Sequence, residues 1–134
     1  MRFFFDHCIS PKLARALHAL IEPEHEVVHL RDRWTVADHT TVEDTDWIRQ
    51  LANEGDWIIV SGDLRIRTRP LEREVWQRAG LTTFFLADGF PKVDAWEQVR
   101  WMIDKWPQIV DASKRFTKGS AFRVPKRGSK LETF

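Results

Sequence analysis

Two short apolar runs in this chain stop abruptly at aspartates. Phe3-Phe4-Phe5 leads straight into Asp6, and Ile58-Ile59-Val60 leads into Ser61-Gly62-Asp63. Unbroken apolar runs of this length, rich in aromatic and β-branched residues, predict strands buried on both faces. After the first run, Ser10-Pro11 places an N-cap hydroxyl before a proline suited to the first helical position. Leu13, Ala16, Leu17, Leu20 and Ile21 then recur at helical spacing to about Glu22, and Pro23 closes that helix. Residues 26–30 read as a second strand, and residues 31–39 as a polar stretch anchored by Trp34 and Val36. Thr40-Thr41-Val42-Glu43 has the capping-box spacing, and Trp47, Ile48, Leu51 and Ala52 form the stripe of the helix behind it. Trp57 to Val60 is the third strand. A helix from Pro70 turns Leu71, Val75, Trp76 and Ala79 inward and ends at Gly80, and residues 81–86 form the fourth strand. From Pro91 a last helix carries Val93, Trp96, Val99, Ile103 and Trp106 on one face. Trp101 and Met102 lie off that stripe, which points either to a homodimer or partner surface or to deeper burial in the same domain.

Strands alternating with helices predict an α/β fold of three layers, a short parallel sheet with helices on both faces. Right-handed crossovers favour the strand order 2-1-3-4. Strands one and three are then neighbours whose chains leave in opposite directions, and a crevice opens beyond their carboxyl ends, where Asp6 and Asp63 sit. Adjacent strands are about 4.8 Å apart. Two carboxylates so placed can share a cation or flank a pair of them; without one, they repel and one takes up a proton. Oxygen ligands without His or Cys favour Mg²⁺ or Mn²⁺ over zinc. Asp46 falls in the first turn of the helix feeding strand three, and helices antiparallel to the strands start at this same edge. It is either a third ligand or an acid that complements the helix dipole.

Composition changes the picture in three ways. A chain of 134 residues with 43% hydrophobic and 31% charged content builds one globular domain without crosslinks. One cysteine, Cys8, excludes an internal disulfide and a zinc cluster, so a reducing cytoplasm is expected, and no apolar run is long enough to span a membrane. The formal charge of +1 hides an asymmetry: residues 112–134 hold seven bases against Glu132 alone, while residues 1–111 are net acidic. The expected organisation is a domain over 1–111 and a basic C-terminal tail over 112–134, either solvated or in contact with a polyanion, the body's own acids or an acidic partner. Seven Trp and no Tyr imply a core of large rings, with Trp34 in its polar loop as the exception that could stack on a base.

Phe3-Phe4-Phe5-Asp6 with Ser10-Pro11 and Leu13, then Asp46-Trp47-Ile48 through Leu51-Ala52, then Ile58-Ile59-Val60-Ser61-Gly62-Asp63, resembles the PIN-like nuclease domains. Within them the chain is most similar to the short VapC-type toxins of bacterial toxin–antitoxin pairs, over residues 1–87. The resemblance implies a metal-dependent ribonuclease restrained by a protein antitoxin, with Asp6, Asp46 and Asp63 as ligands and Ser61 helping to fix water or phosphate. The further acid that longer PIN domains carry on an additional helix is missing, and Glu43 or Asp44 could stand in for it. An acid cluster repels RNA, so nearby bases must draw it in: Arg65, Arg67 and Lys12 are the candidates, with the alternative of an exposed polar loop.

Rival readings differ at particular residues. A receiver-type phosphoacceptor signalling domain uses paired acids after strand one and a lysine after a fifth strand; here His7 follows Asp6, and only four strands are evident. A haloacid-dehalogenase-like phosphatase needs an acid where Cys8 stands. A non-catalytic PIN-like binding module would keep the fold without its metals. His7 and Cys8 are not expected to face each other, since neighbours along a strand point to opposite faces. The remaining histidines share no ligand spacing.

Overall fold

The computed structural model describes residues 1–34, 44–62, 70–116, 118–128 and 130–133. In chain order the elements are β1 (Arg2–Phe5), α1 (Pro11–Ile21), β2 (Glu26–His29), a one-turn helix α2 (Leu30–Arg33), α3 (Asp44–Glu54), β3 (Trp57–Ser61), α4 (Pro70–Ala79), β4 (Thr82–Leu86), a 3₁₀ turn (Phe90–Lys92), α5 (Ala95–Arg115), β5 (Ala121–Val124) and β6 (Glu132–Thr133).

The sheet runs in the order β2-β1-β3-β4-β5-β6, parallel except for the last pair. The expected order 2-1-3-4 is its first two-thirds. Two further strands come from the stretch read as a basic tail: β5 pairs in parallel with β4, and β6 returns antiparallel beside it. Ala121–Val124 escaped the sequence pattern because only Phe122 and Val124 alternate inward among bases and small residues, a signal too short to separate from an extended tail.

Alternation along the strands sorts the core into two sides. Phe3, Phe5, Ile58, Val60, Phe84 and Leu86 face α1 and α5, where Leu13, Leu17, Met102 and Ile109 complete one cluster. Phe4, Trp57, Ile59 and Phe85 face α3 and α4, where Trp47, Ile48, Leu51 and Trp76 complete the other. The second side is a chain of rings: Phe4 lies 5.2 Å from Trp47, Trp47 lies 5.9 Å from Trp76, and Trp76 lies 5.4 Å from Phe85. Trp34 joins it edge-on against Phe4, so that ring is packed rather than free in a loop. Val36 and the Thr40–Glu43 box lie outside the described residues.

The ends of the helices follow their signals. Ser10 caps α1 by accepting the Lys12 N–H at 3.2 Å, with Pro11 at the first position. Gly80 ends α4 at φ +62°, a left-handed conformation that glycine adopts without the cost a Cβ brings. The last helix departs from its expected start and face. Pro91 lies in the 3₁₀ turn, and α5 begins after Asp94, whose carboxylate accepts the Glu97 N–H at 2.9 Å. Its buried face is Gln98, Met102, Lys105, Trp106, Ile109 and Ala112, while Trp96 and Ile103 are exposed. Met102 is therefore core, and the reason for seeing a second surface at that residue falls away. Two polar side chains on the buried face hid this orientation: Gln98 is satisfied by backbone groups, and Lys105 reaches the Gly128 carbonyl.

Candidate metal centre

The chain leaves β1 toward α1 on one face of the sheet, and β3 is reached from α3 on the other, so the carboxyl ends of β1 and β3 form the switch point. Their register pairs Phe5 with Val60, and the ladder continues one step further, where the Asp6 N–H donates to the Val60 carbonyl at 3.3 Å. Ladder geometry thus places the Asp6 side chain beside Ser61 and Gly62.

That carboxylate is 1% exposed. Its Oδ1 accepts the Cys8 N–H at 3.0 Å and the Gly62 N–H at 3.4 Å, and its Oδ2 accepts the Ser61 hydroxyl. Burial pushes its pKa up to about 6, against the pull of the Ser61 hydroxyl, the His7 charge and the two backbone N–H groups. Burial wins because none of the donors carries a full charge. Ser61 is itself fully buried, so its hydroxyl holds the carboxylate rather than standing open to a phosphate.

Two features close the edge around Asp6 that the sequence pattern does not reveal. Gly62 is packed so tightly that a Cβ there would sit 3.0 Å from the Cys8 Cβ and 3.2 Å from the Pro91 Cγ. Gln98 spans the gap between α1 and the 3₁₀ turn. Its Oε1 accepts the Ser10 N–H at 3.1 Å, and its Nε2 donates to the Phe90 carbonyl at 3.2 Å. No local pattern marks either residue, since each is defined by neighbours distant in sequence.

Asp46 is exposed in the first turn of α3, next to the buried Trp47 that stacks on Phe4. Lys12 is exposed at the start of α1, on the same edge as Asp6. Asp63, Arg65, Arg67 and Glu43 lie outside the described residues, as does the side chain of Asp44. Among the described residues no three His, Cys, Asp or Glu side chains gather closely enough to hold a metal ion. His7 and Cys8 do meet, with Sγ 3.6 Å from Nε2, because they occupy a turn rather than a strand. Asp6 does not orient this pair; its oxygens are bonded to Ser61 and to backbone N–H groups. His29 is buried, with Nε2 bonded to the Ile9 carbonyl and Nδ1 accepting the Arg31 N–H, and serves to cap α2.

The Asp6 carboxylate suits a hard divalent cation. A carboxylate has about four acceptor positions. Among the described residues three are taken, two on Oδ1 and one on Oδ2, and a buried acid whose pKa is raised by desolvation gains from receiving a cation.

A protein-family model described as a PIN-like domain matches residues 1–88, which hold β1 to β4 and the switch point. Neither a curated protein nor a solved structure matches the chain.

Proposed function

This chain belongs to the PIN-like domain family, a nuclease fold whose members generally use divalent metals, and from that premise we propose that it is a ribonuclease dependent on Mg²⁺ or Mn²⁺. The observation that carries the reading is the buried Asp6 carboxylate at the end of β1, held by Ser61 and two backbone N–H groups, with β3 ending beside it. Asp63, one residue beyond Gly62, is the proposed second ligand, and Asp46 the third, with Glu43 or Asp44 as the further acid.

A cation held there would acidify a coordinated water and neutralise the charge that grows on the phosphate oxygens. The chain's own groups supply the rest. Ser61 and the Cys8 and Gly62 N–H groups hold Asp6 in one orientation, so no rotamer freedom is lost when a ligand arrives. Lys12, Arg65 and Arg67 are proposed to draw the RNA backbone toward this acidic edge. We place the protein in the cytoplasm as the toxin of a toxin–antitoxin pair, on its similarity to short VapC-type chains; a small regulator encoded next to it, and a stable complex on co-expression, are the expected support. No helix among the described residues is long and apolar enough to cross a membrane.

The decisive experiment is RNA cleavage with and without Mn²⁺, comparing wild type with Asp6→Asn. Mn²⁺-dependent cleavage by wild type and its loss in the variant support the reading. Equal cleavage by both proteins, or none by wild type at any Mn²⁺ or Mg²⁺ concentration, ends it. Phosphorylation of Asp63 by a small phosphodonor would instead favour a receiver-like role.

A further inference from the structure

Beyond the ends of β4 and β5 lies a second concavity that the metal centre does not use. It has a volume of about 290 Å³ and is lined by Phe90, Glu97, Arg100, Trp101, Asp104 and Lys126, among others. Phe90 follows β4 and Lys126 follows β5; both strands are parallel to β1, so the concavity opens at the edge that carries Asp6. The ends of β4 and β5 lie two and three ladder steps from that of β1, about 10 and 14 Å along the sheet edge. The Phe90 carbonyl is tied through Gln98 to the Ser10 N–H, so the wall of the concavity and the turn behind Asp6 are one hydrogen-bonded unit.

We propose that this concavity is a nucleobase pocket, holding one unpaired base of the RNA strand whose phosphodiester lies at Asp6. Its size is at the small end for a ligand site and suits one base rather than a folded element. Trp101 is half-buried with its ring centroid 4.5 Å from that of Phe90, so it offers an aromatic wall braced from behind. The Trp101 indole N–H is shut off from solvent and has no partner among the described residues. The side chains of Arg100 and Lys126 line the concavity without an ion pair or hydrogen bond to any described residue, and supply the positive charge that phosphates beside the base require. Glu97 and Asp104 on the rim accept from exocyclic amino groups and disfavour a ligand that is only anionic. A base must leave its stack to enter, so single strands are selected over duplexes. The same placement assigns a task to the basic C-terminal stretch: parallel pairing of β5 carries Lys126 to the active edge.

This inference rests on the ribonuclease reading but is tested separately, by binding in chelator where nothing is cleaved. The probe is a short labelled single-stranded oligoribonucleotide, with a duplex of the same sequence as comparison, followed by fluorescence anisotropy. Wild type is expected to bind the single strand about tenfold or more tighter than the duplex, and Trp101→Leu to lose about tenfold or more while Trp101→Phe keeps most of the affinity. Lys126→Ala is expected to weaken binding and lower the salt slope by about one. Ultraviolet crosslinking of the wild-type complex should attach RNA to the peptides holding Phe90 or Trp101. A folded Trp101→Leu that binds like wild type, equal affinity for duplex, no binding by wild type, or crosslinks confined to other peptides would each overturn the pocket. Should Trp101→Leu not fold, Lys126→Ala and the crosslinks decide. Binding with these signatures but without cleavage in Mn²⁺ sinks the nuclease and keeps the pocket; cleavage with unaltered binding in the variants does the reverse.

Discussion

Ser61 donates its hydroxyl proton to Asp6 Oδ2 across the β1–β3 junction, with both side chains sealed from water. A neutral hydroxyl thus does most to hold down a carboxylate that burial pushes toward neutrality, and no described residue provides a full counter-ion in contact with it. A site of this kind is poised between a proton and a metal.

Removing that hydroxyl shifts the balance toward the proton. Ser61→Ala is expected to move the Asp6 pKa above its present value of about 6 and to weaken Mn²⁺ binding at neutral pH by about 10–100-fold, as loss of a ligand's supporting hydrogen bond does elsewhere. Calorimetric Mn²⁺ titration of both proteins checks it; an unchanged affinity would show that Ser61 has no influence on the ligand.

Stability against pH carries a sign that identifies Asp6. Its folded pKa, about 6, stands above the ordinary 3.8, so the folded protein holds this proton more tightly than the unfolded chain. The stabilisation is therefore present at low pH and is lost as pH rises from about 4 to 6, by about 3 kcal/mol at most. His29 acts in the opposite direction: burial lowers its pKa, so its contribution is lost as pH falls below 6.5. Comparison with Asp6→Asn separates the two, because His29 is common to both proteins. In chelator, the melting temperature of wild type should fall relative to Asp6→Asn across that window. Mn²⁺ at neutral pH should raise it in wild type alone. A difference between the two proteins that does not vary with pH would remove Asp6 from the account.

Close approach rather than backbone conformation makes residue 62 a glycine. In Gly62→Ala the new methyl meets the Cys8 Cβ at 3.0 Å and the Pro91 Cγ at 3.2 Å, and neither is the end of a flexible chain. The wall must shift, at a cost of about 1–3 kcal/mol, and the Gly62 N–H moves off Asp6 Oδ1. Thermal unfolding should show the loss, and Mn²⁺ affinity should fall with it; a variant that melts with wild type would mean that the turn before α1 yields freely.

What could be read from the chain was whatever local pattern determines. Phe3-Phe4-Phe5-Asp6 announces a buried strand ending in an acid because both halves of the signal are adjacent, and Ser10-Pro11 announces a helix start for the same reason. The face of α5 was misread because Trp96 and Ile103 look like core to a periodicity rule. The chain instead buries Gln98 and Lys105, each satisfied by carbonyls of remote turns. β5 was missed because its burial depends on β4 and α5 rather than on its own four residues. The position of Asp6 at a buried strand end follows from local pattern; its hold on Ser61 and the packing of Gly62 depend on β1–β3 register, which no single stretch encodes.

Gln98 makes the last prediction, because one side chain joins the turn before α1 to the turn before α5. It is 5% exposed and serves the Ser10 N–H together with the Phe90 and Val93 carbonyls. Gln98→Leu keeps the volume but removes the partner of the Ser10 N–H and the Val93 carbonyl and leaves the Phe90 carbonyl with the Val93 N–H alone, at a cost of about 1–3 kcal/mol for each group left unsatisfied. Gln98→Glu keeps the acceptor for Ser10 and loses the donor for Phe90, so the two variants divide the bridge into its halves. Hydrogen exchange is the sensitive measurement. The Ser10 amide should exchange faster in Gln98→Leu than in Gln98→Glu, whereas the 3₁₀ turn should loosen in both. If Ser10 were equally protected in all three proteins, Gln98 would be a passive filler of the core and the two turns would hold their places without it.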